Sequence, residues 1–255
     1  MHHRATTPTR ETSRSPEELM AMIADTLHRT VVHYGLWWQE VEAQVGLGEA
    51  ITIERDVWRK IFGLYVTRLG RILGFEVDEN GIPMALKDKS PGELQKLLEG
   101  ASANWLASDG LWFQEVEQRH DLSTAQECNN AAWERFSPFE AECIRSLHRI
   151  TDVDPLSALA SALEQRLYAN INEYTIARTD EKTLILYMNN CRVQSARNRK
   201  GLEDYPCKSG GLIEYTTFAQ TIDPRIKTEC IGCPPDPHPA EWFCAWRFTI
   251  EVGHL

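Results

Sequence analysis

The sequence predicts an α+β protein, with a duplicated N-terminal helical bundle followed by a small C-terminal α/β unit that has a mostly antiparallel sheet. An eight-residue phrase, GLWWQEVE at residues 35–42, returns as GLWFQEVE at residues 110–117. Three segments carry the helix-start pattern Ser-Pro-x-Glu. Five of the seven cysteines follow residue 190, where short β-prone runs replace the helical periodicity.

The repeat continues beyond the phrase without a gap. Leu47 matches Leu122 and Trp58 matches Trp133 at the same offset. Tryptophan is rare, so matched tryptophans at one offset favour an internal duplication of a helical unit. Three regions are therefore predicted: a disordered tail at 1–15, a duplicated helical domain at 16–175 with repeat units at about 27–75 and 102–150, and a cysteine-rich α/β domain at 176–255.

Helix starts are predicted at each Ser-Pro-x-Glu segment. Serine at the N-cap accepts a hydrogen bond from a backbone N–H, proline at the first position has no N–H to lose, and glutamate complements the helix dipole. These starts lie near residues 16, 91 and 138, and Asp154-Pro155 offers a fourth. Together with the apolar periodicity, they predict helices at 17–45, 49–73, 101–119, 124–136, 138–149 and 155–172.

The C-terminal region predicts a small sheet with one helix. Residues 183–188 form a short apolar β-prone run, and residues 211–221 have a helical pattern. Residues 226–231 and 242–252 are predicted to be strands. In the last strand Cys244, Trp246 and Phe248 alternate onto one apolar face.

Composition and charge limit the classes of function. A formal net charge of −10 provides no general attraction to phosphate backbones, so a nucleic-acid partner is not expected. No segment has the length and apolarity of a membrane span, and the N-terminus has no apolar stretch typical of a secretory signal. A cytoplasmic location is expected, with the cysteines as thiols, metal ligands or core residues.

Two glutamates recur in the repeated phrase, Glu40 and Glu115. Both copies keep polar and apolar residues on both faces of the helix, which predicts that these carboxylates are partly buried. They either lock the two copies together or face a cavity as a catalytic pair. A ferritin-like di-metal bundle is excluded, because neither second helix carries the Glu-x-x-His motif that such a centre needs.

The cysteine-rich end suggests a metal site. Cys230 and Cys233 have the two-residue spacing that lets two thiolates bind one metal ion, and Cys207 and Cys244 would complete a tetrahedral set. Four sulfur ligands favour zinc, with an iron–sulfur cluster as the alternative. His238 lies on the proline-rich loop that follows. Catalytic or redox thiols, and buried thiols without chemistry, remain open.

Several of these segments carry a family resemblance. The stretch 191–201, the segment around Cys207, residues 221–225, the run from Cys230 to Trp246 and the repeated phrase resemble an uncharacterised family of bacterial cytosolic proteins. The chain is more distantly similar to L-2-amino-thiazoline-4-carboxylic acid hydrolases and to the four-vinyl-reductase small-molecule-binding domain. Both similarities imply a small-ligand cavity between helices and a small sheet.

Two functions follow as expectations. The first is an enzyme acting on a small anionic molecule, such as a metal- or thiol-dependent hydrolase of a C–S or C–N bond. Its catalytic residues would be His238, Glu40 and Glu115, and its carboxylate-binding residues Arg192, Arg197 and Arg225. The alternative is a non-catalytic ligand-binding or sensor protein with a structural metal site. In that alternative the duplicated helices would carry either a ligand pocket or the interface of a homodimer.

Overall fold

The computed structural model describes residues 14–151, 154–199, 201 and 204–250. Residue contacts divide the chain into two compact units, one ending at Trp58 and the other starting at Arg59. The site described below lies in the second unit. The predicted disordered tail at 1–15 falls almost entirely outside the described residues.

The described residues form helices followed by one small sheet, which confirms the predicted α+β class. The helices are α1 (Pro16–Val45), α2 (Leu47–Leu73), α3 (Met84–Lys87), α4 (Pro91–Arg119), α5 (Leu122–His148), α6 (Pro155–Leu163), a 3₁₀ turn (Leu167–Asn170), α7 (Arg192–Arg199) and α8 (Lys208–Ile222). The strands are β1 (Glu173–Asp180), β2 (Thr183–Asn190), β3 (Ile226–Gly232) and β4 (Cys244–Ile250).

Two of the predicted helix starts are complete capping boxes. The Ser15 side chain accepts from the Glu18 backbone N–H while the Glu18 carboxylate accepts from the Ser15 N–H, and α1 begins there. Ser90 and Glu93 repeat the arrangement at the start of α4. Each box satisfies two backbone donors that the first helical turn leaves without partners.

The predicted start at residue 138 is wrong, because α5 continues through Pro138. Glu140 does not reach back to cap a new helix. Its carboxylate instead accepts from the Leu167 backbone N–H and from Arg166, far along the chain. Burial of Trp133 and the contacts of Glu140 with Arg166 and Leu167 offset the backbone hydrogen bond that a proline removes from the helix.

The predicted helix at 155–172 is also too long. α6 ends at Leu163, and a 3₁₀ turn precedes β1, a strand that the sequence did not predict. The predicted domain boundary between residues 175 and 176 falls within β1. The predicted strand at 183–188 is confirmed within β2, and the predicted helix at 211–221 is confirmed within α8.

The sheet has the order β1-β2-β4-β3, with all neighbours antiparallel. Trp246 and Phe248 of β4 are fully buried, as their alternation predicts. They pack with residues of α5, α6 and α8 in one hydrophobic core, which includes Leu156, Leu159 and Phe218. The helices therefore cover the face of the sheet that presents Trp246.

A close approach of α8 to the sheet depends on glycine. A Cβ built on Gly211 would lie 2.6 Å from Cζ2 of Trp246, which is far inside van der Waals contact. The missing side chain lets the start of α8 lie against the tryptophan ring. This contact fixes the position of Cys207, which caps the same helix.

The first helix, α1, is less buried than the sequence predicts. Leu27 and Val31, which belong to its apolar stripe, are exposed, and α1 has no buried residue. Among the described residues, no helix has the length and apolarity needed to cross a membrane.

Candidate functional site: a thiol cluster beside a buried ion network

The antiparallel sheet brings distant cysteines to one of its ends. Cys191 directly follows β2, Cys233 directly follows β3, and Cys244 opens β4. Since β4 runs antiparallel to both neighbours, its start lies beside the ends of β2 and β3. Cys207 meets them at the N-terminus of α8.

Direct contacts link these sulfurs to each other and to two N–H donors. Cys207 Sγ lies 3.5 Å from Cys233 Sγ. Gln194 Nε2 donates to Cys207 Sγ at 3.4 Å, and Trp246 Nε1 donates to Cys244 Sγ at 3.4 Å. Cys244 also acts on Cys233 and raises the pKa of its thiol. The cluster formed by Cys207, Cys233 and Cys244, called the thiol cluster below, is thus flanked by donors at both ends.

Gln194 holds the loop that carries Cys207. Its Nε2 donates to the Tyr205 carbonyl at 2.9 Å, and its Oε1 accepts from the Tyr205 N–H at 2.8 Å. The residue is only 1% exposed, so both ends of its amide are satisfied inside the protein. The ring of Tyr205 packs edge-on against Phe113 of α4 at 5.0 Å between centroids. Gln194 therefore positions the loop and donates to the sulfur at once.

The pKa values of the two closest thiols, Cys207 and Cys233, are shifted in opposite directions. The hydrogen bond from Cys233, aided by the one from Gln194, lowers the pKa of Cys207 despite its burial. Hydrogen bonding to Cys207 and Cys244, together with burial, raises the pKa of Cys233. Within this pair, Cys207 is therefore the thiol that loses its proton more readily. A position at the N-terminal end of α8 favours the same assignment, since the helix dipole stabilises negative charge there.

A buried ion network lies further along α8. Arg166 is 3% exposed and pairs with two carboxylates. Its Nε donates to Glu140 Oε2 at 2.8 Å, and its Nη1 donates to Glu214 Oε1 at 2.6 Å. The guanidinium also lies over four aromatic rings, with ring centroids 4.6–5.8 Å from its central carbon: Trp133, Tyr168, Tyr215 and Phe218. Such a site disfavours water and strengthens every electrostatic interaction within it.

One arginine cannot neutralise two carboxylates, and the excess charge is partly relieved by protonation. Burial raises the pKa of Glu214 to about 7, although Arg166 opposes the shift. Burial also raises the pKa of Asp109 on α4 and of the Tyr168 hydroxyl. The charge on Glu214 acts on Cys207 and tends to raise its pKa. The thiol cluster and the ion network are therefore electrostatic neighbours.

Predicted metal ligands are only partly brought together. Cys207, Cys233 and Cys244 form the thiol cluster, whereas Cys230 lies on β3 opposite Trp246. Over the part of the chain that the structure describes, no group of three or more His, Cys, Asp or Glu side chains is placed to hold a metal ion. Zinc and the alternative iron–sulfur cluster stay predictions.

The imidazole ring of His238 contacts two loop residues, Asp204 and Pro239. Its Nε2 lies 3.0 Å from Asp204 Oδ2, and its Nδ1 lies 2.9 Å from the Pro239 carbonyl oxygen. The hydrogen bond with Asp204 raises the pKa of His238. Both ring nitrogens contact loop atoms, so this geometry favours a clamp between two loops. Its predicted role as a base stays a prediction.

The predicted partial burial of Glu40 and Glu115 is wrong. Glu40 is exposed and accepts from Gln44 Nε2 at 2.8 Å on the same helix. Glu115 is exposed and pairs with Arg119 at 2.8 Å, one turn further along α4. The repeated phrase does not keep these carboxylates in an interior, because each finds its partner on its own helix surface.

Predicted carboxylate-binding arginines have different surroundings. Arg192 is exposed at the start of α7. Arg225 pairs with Asp223 through two contacts, Nε to Oδ1 at 2.9 Å and Nη2 to Oδ2 at 2.7 Å. Arg197 is half-buried, and its charge acts on the Tyr205 hydroxyl next to the Cys207 loop. Of the three, Arg197 has the clearest link to the thiol cluster.

Sequence reasoning missed Gln194 and the whole ion network. Gln194 lies in a run rich in arginine, and the positive charge of that run is its most evident feature in the sequence. The Ser-Pro-x-Glu pattern predicts that Glu140 caps a helix, and Arg166 and Glu214 belong to no motif. The network depends on contacts of Arg166 with Glu140, 26 positions away, and with Glu214, 48 positions away. A local sequence pattern does not reveal contacts over such separations.

The fold and site define an α+β protein with a thiol cluster beside a buried ion network. The chain belongs to a family of unknown function, DUF6125, which matches residues 12–90 and 87–250. Two successive matches to one family agree with the internal duplication and confirm the expected uncharacterised family. No curated protein and no solved structure matches the chain.

Proposed function

We propose that the protein is a thiol-dependent enzyme that acts on a small anionic molecule, with Cys207 as its nucleophile. The observation that carries this proposal is the 3.5 Å contact between Cys207 Sγ and Cys233 Sγ at the N-terminus of α8. A thiolate is the nucleophilic form of cysteine, and helix N-termini and hydrogen-bond donors stabilise it. Cys207 has both, and it keeps partial exposure.

Cys233 and Gln194 would hold Cys207 ready for attack. Cys233, whose pKa is raised, would hold its proton more firmly than Cys207, and Gln194 donates to the sulfur without being able to take a proton from it. The thiolate is thus stabilised by donors that are already oriented. Such preorganised donors cost no rearrangement when charge moves during the reaction.

Glu214 would serve as a proton reservoir and not as the base for Cys207. It follows Cys207 by seven positions on α8, a separation of about 10 Å along the helix axis. With a pKa of about 7, it changes protonation near neutral pH. When protonated, it no longer opposes the negative charge on Cys207.

The substrate class follows from the chemistry and from the resemblance. The Cys207 sulfur would bond to an electrophilic carbon as the bond from that carbon to sulfur or nitrogen breaks, and the leaving heteroatom would take a proton from solvent. Water would then hydrolyse the covalent intermediate and release Cys207. The resemblance to L-2-amino-thiazoline-4-carboxylic acid hydrolases that the sequence suggests is the reason for proposing a small sulfur-containing ring with a carboxylate. Arg197 is the proposed partner of that carboxylate, since guanidinium groups bind carboxylates with two parallel hydrogen bonds.

Competitive labelling tests this function. The full-length protein is treated at neutral pH with a limiting chloroacetamide probe, and labelled peptides are quantified by mass spectrometry. We expect Cys207 to react first, ahead of the exposed Cys128, and we expect Cys207→Ser to abolish turnover of L-2-amino-thiazoline-4-carboxylate while Cys128→Ser leaves it unchanged.

Three results would contradict the proposal. Cys207 could react no faster than Cys128, or turnover could survive Cys207→Ser. Metal analysis supplies the third, because about one zinc per chain that is lost in Cys207→Ser would assign this sulfur to a metal ion. In that case the predicted metal site, and not a free thiolate, would explain the cluster.

A further inference from the structure

The sulfur of Cys233 lies beside Cys207, the proposed nucleophile. In the proposed cleavage reaction, Cys233 does not form a bond to the substrate. Cys233 is only 1% exposed and its sulfur is 3.5 Å from Cys207 Sγ. A disulfide has a sulfur–sulfur bond of about 2 Å, so closure needs an approach of about 1.5 Å. Rotation of side chains can supply a movement of that size.

Backbone contacts already hold the two cysteines side by side. The N–H of Lys208, which follows Cys207, donates to the carbonyl of Pro234, which follows Cys233, at 2.9 Å. The Lys208 ammonium pairs with Asp236 at 2.6 Å across the same two segments. Formation of a bond between the sulfurs therefore does not require the segments to move together first.

Exposure gives the two sulfurs different roles. Cys207 is partly exposed at the helix terminus, whereas Cys233 is buried behind it. A small oxidant would reach Cys207 first, and Cys233 would then be in place to resolve the oxidised sulfur. The CxxC spacing suggests Cys230 as the partner of Cys233, but the sulfur contact that the structure gives Cys233 is with Cys207.

We propose that Cys207 and Cys233 form a two-electron redox centre that reduces hydroperoxides. This inference rests on the proposed function only in taking Cys207 as the reactive thiol. The Cys207 thiolate attacks the outer oxygen of the hydroperoxide, so that an S–O bond forms and the O–O bond breaks. The alcohol or water leaves with a proton from solvent, and Cys207 becomes a sulfenic acid.

The second step closes the disulfide. The Cys233 sulfur attacks the Cys207 sulfur, its proton goes to the departing hydroxide, and water leaves. In total, the two thiols lose two electrons and the hydroperoxide gains them. A dithiol reductant would then return the pair to its reduced state by thiol–disulfide exchange, through a mixed disulfide.

The experiment uses full-length protein that has been reduced, treated with a chelator and kept free of oxygen. One equivalent of hydrogen peroxide or of cumene hydroperoxide is added, and digests made without reductant are analysed by mass spectrometry. We expect a peptide that joins Cys207 to Cys233, and we expect dithiothreitol to reverse it. Cys230→Ser should form the same bond.

A variant identifies the order of events. In Cys233→Ser, oxidation should stop at the sulfenic acid of Cys207, which dimedone traps. If this variant fails to fold, the position of the disulfide in the wild-type protein still decides the question. A disulfide from Cys233 to Cys230 or Cys244 would overturn the proposal.

Oxidation without any disulfide would overturn the proposal as well. If Cys207 nevertheless reacts rapidly with the chloroacetamide probe, the proposed nucleophile stands and only the redox centre fails. If the disulfide forms but Cys207→Ser retains turnover of the thiazoline compound, the redox centre stands and the proposed function fails. The two ideas can therefore be separated.

Discussion

Cys207 Sγ and Cys233 Sγ lie 3.5 Å apart although 26 positions separate them in the chain. The contact exists because α8 begins where β3 ends, and because the Lys208 N–H donates to the Pro234 carbonyl. It lowers the pKa of one thiol and raises that of the other. Two residues of the same type thus differ in acidity, and Cys207 is the more acidic of the two.

Gln194 is predicted to control the reactivity of Cys207. Gln194→Ala removes the donor to the sulfur and both bonds to Tyr205, so the pKa of Cys207 should rise. A neutral hydrogen bond contributes about 1 kcal/mol, so alkylation of Cys207 at neutral pH should slow by roughly three- to tenfold. Peptide-resolved alkylation rates measure this change.

Gln126→Ala is the matched control for Gln194. The Gln126 side chain donates to the Pro206 carbonyl at 3.3 Å, so it contacts the same loop. Its hydrogen bond ends on the backbone and not on the sulfur. Equal slowing in both variants would mean that the loop position, and not the donor to sulfur, sets the reactivity.

Arg166 is predicted to be essential for stability. Arg166→Met leaves Glu140 and Glu214 buried without their cation, so the free energy of unfolding should fall by about 3–5 kcal/mol. Urea unfolding followed by far-UV circular dichroism measures the loss. Arg119→Met, which breaks an exposed pair with Glu115, should cost less than about 1 kcal/mol. Similar losses in both variants would argue against a special role for the buried network.

Glu214 is predicted to make stability depend on pH. Burial raises its pKa from 4.5 to about 7, so the folded chain holds a proton that the unfolded chain releases between these values. Its stabilising contribution is complete below pH 4.5 and is lost as the pH rises to about 7, a fall of about 3 kcal/mol.

Glu214→Gln isolates this effect, because glutamine does not titrate. The free energy of unfolding of the wild-type protein minus that of the variant should decrease as the pH rises from about 5 to about 7. Chemical unfolding at a series of pH values supplies the difference. A flat difference over this window would show that Glu214 titrates with an ordinary pKa.

Gly211 is predicted to tolerate no side chain. In Gly211→Ala the new Cβ would lie 2.6 Å from the Trp246 ring, so overpacking should destabilise the protein by about 1–3 kcal/mol. Gly100→Ala, in α4 with open space around it, should be neutral or stabilising by up to about 1 kcal/mol. Thermal unfolding compares the two. Stabilisation by both would mean that α8 can move away from the sheet.

Local chemistry explains where the sequence predicts the fold well and where it does not. The capping boxes at Ser15 and Ser90 work because all their atoms lie within one helical turn. The same pattern fails at Ser137, where long-range contacts of Glu140 keep α5 continuous. Local spacing likewise pairs Cys230 with Cys233, whereas the packing of the start of α8 beside the end of β3 places Cys207 against Cys233.

The site was predictable only in outline. A concentration of cysteines after residue 190 indicates chemistry in the C-terminal region, and the thiol cluster lies there. Gln194 and Arg166 remain hidden in the sequence because their partners come from other segments. The repeated phrase drew attention to Glu40 and Glu115, whose partners lie on their own helix surfaces.

The pH profile of Cys207 alkylation tests the central claim most directly. Rates for each cysteine peptide are measured in the reduced full-length protein over about pH 5–10, with wild-type and Cys233→Ala proteins in parallel. We predict that Cys207 has a midpoint below the ordinary value of a cysteine thiol, about 8.5, and that this midpoint rises in the variant. A wild-type midpoint at or above the ordinary value would contradict the account.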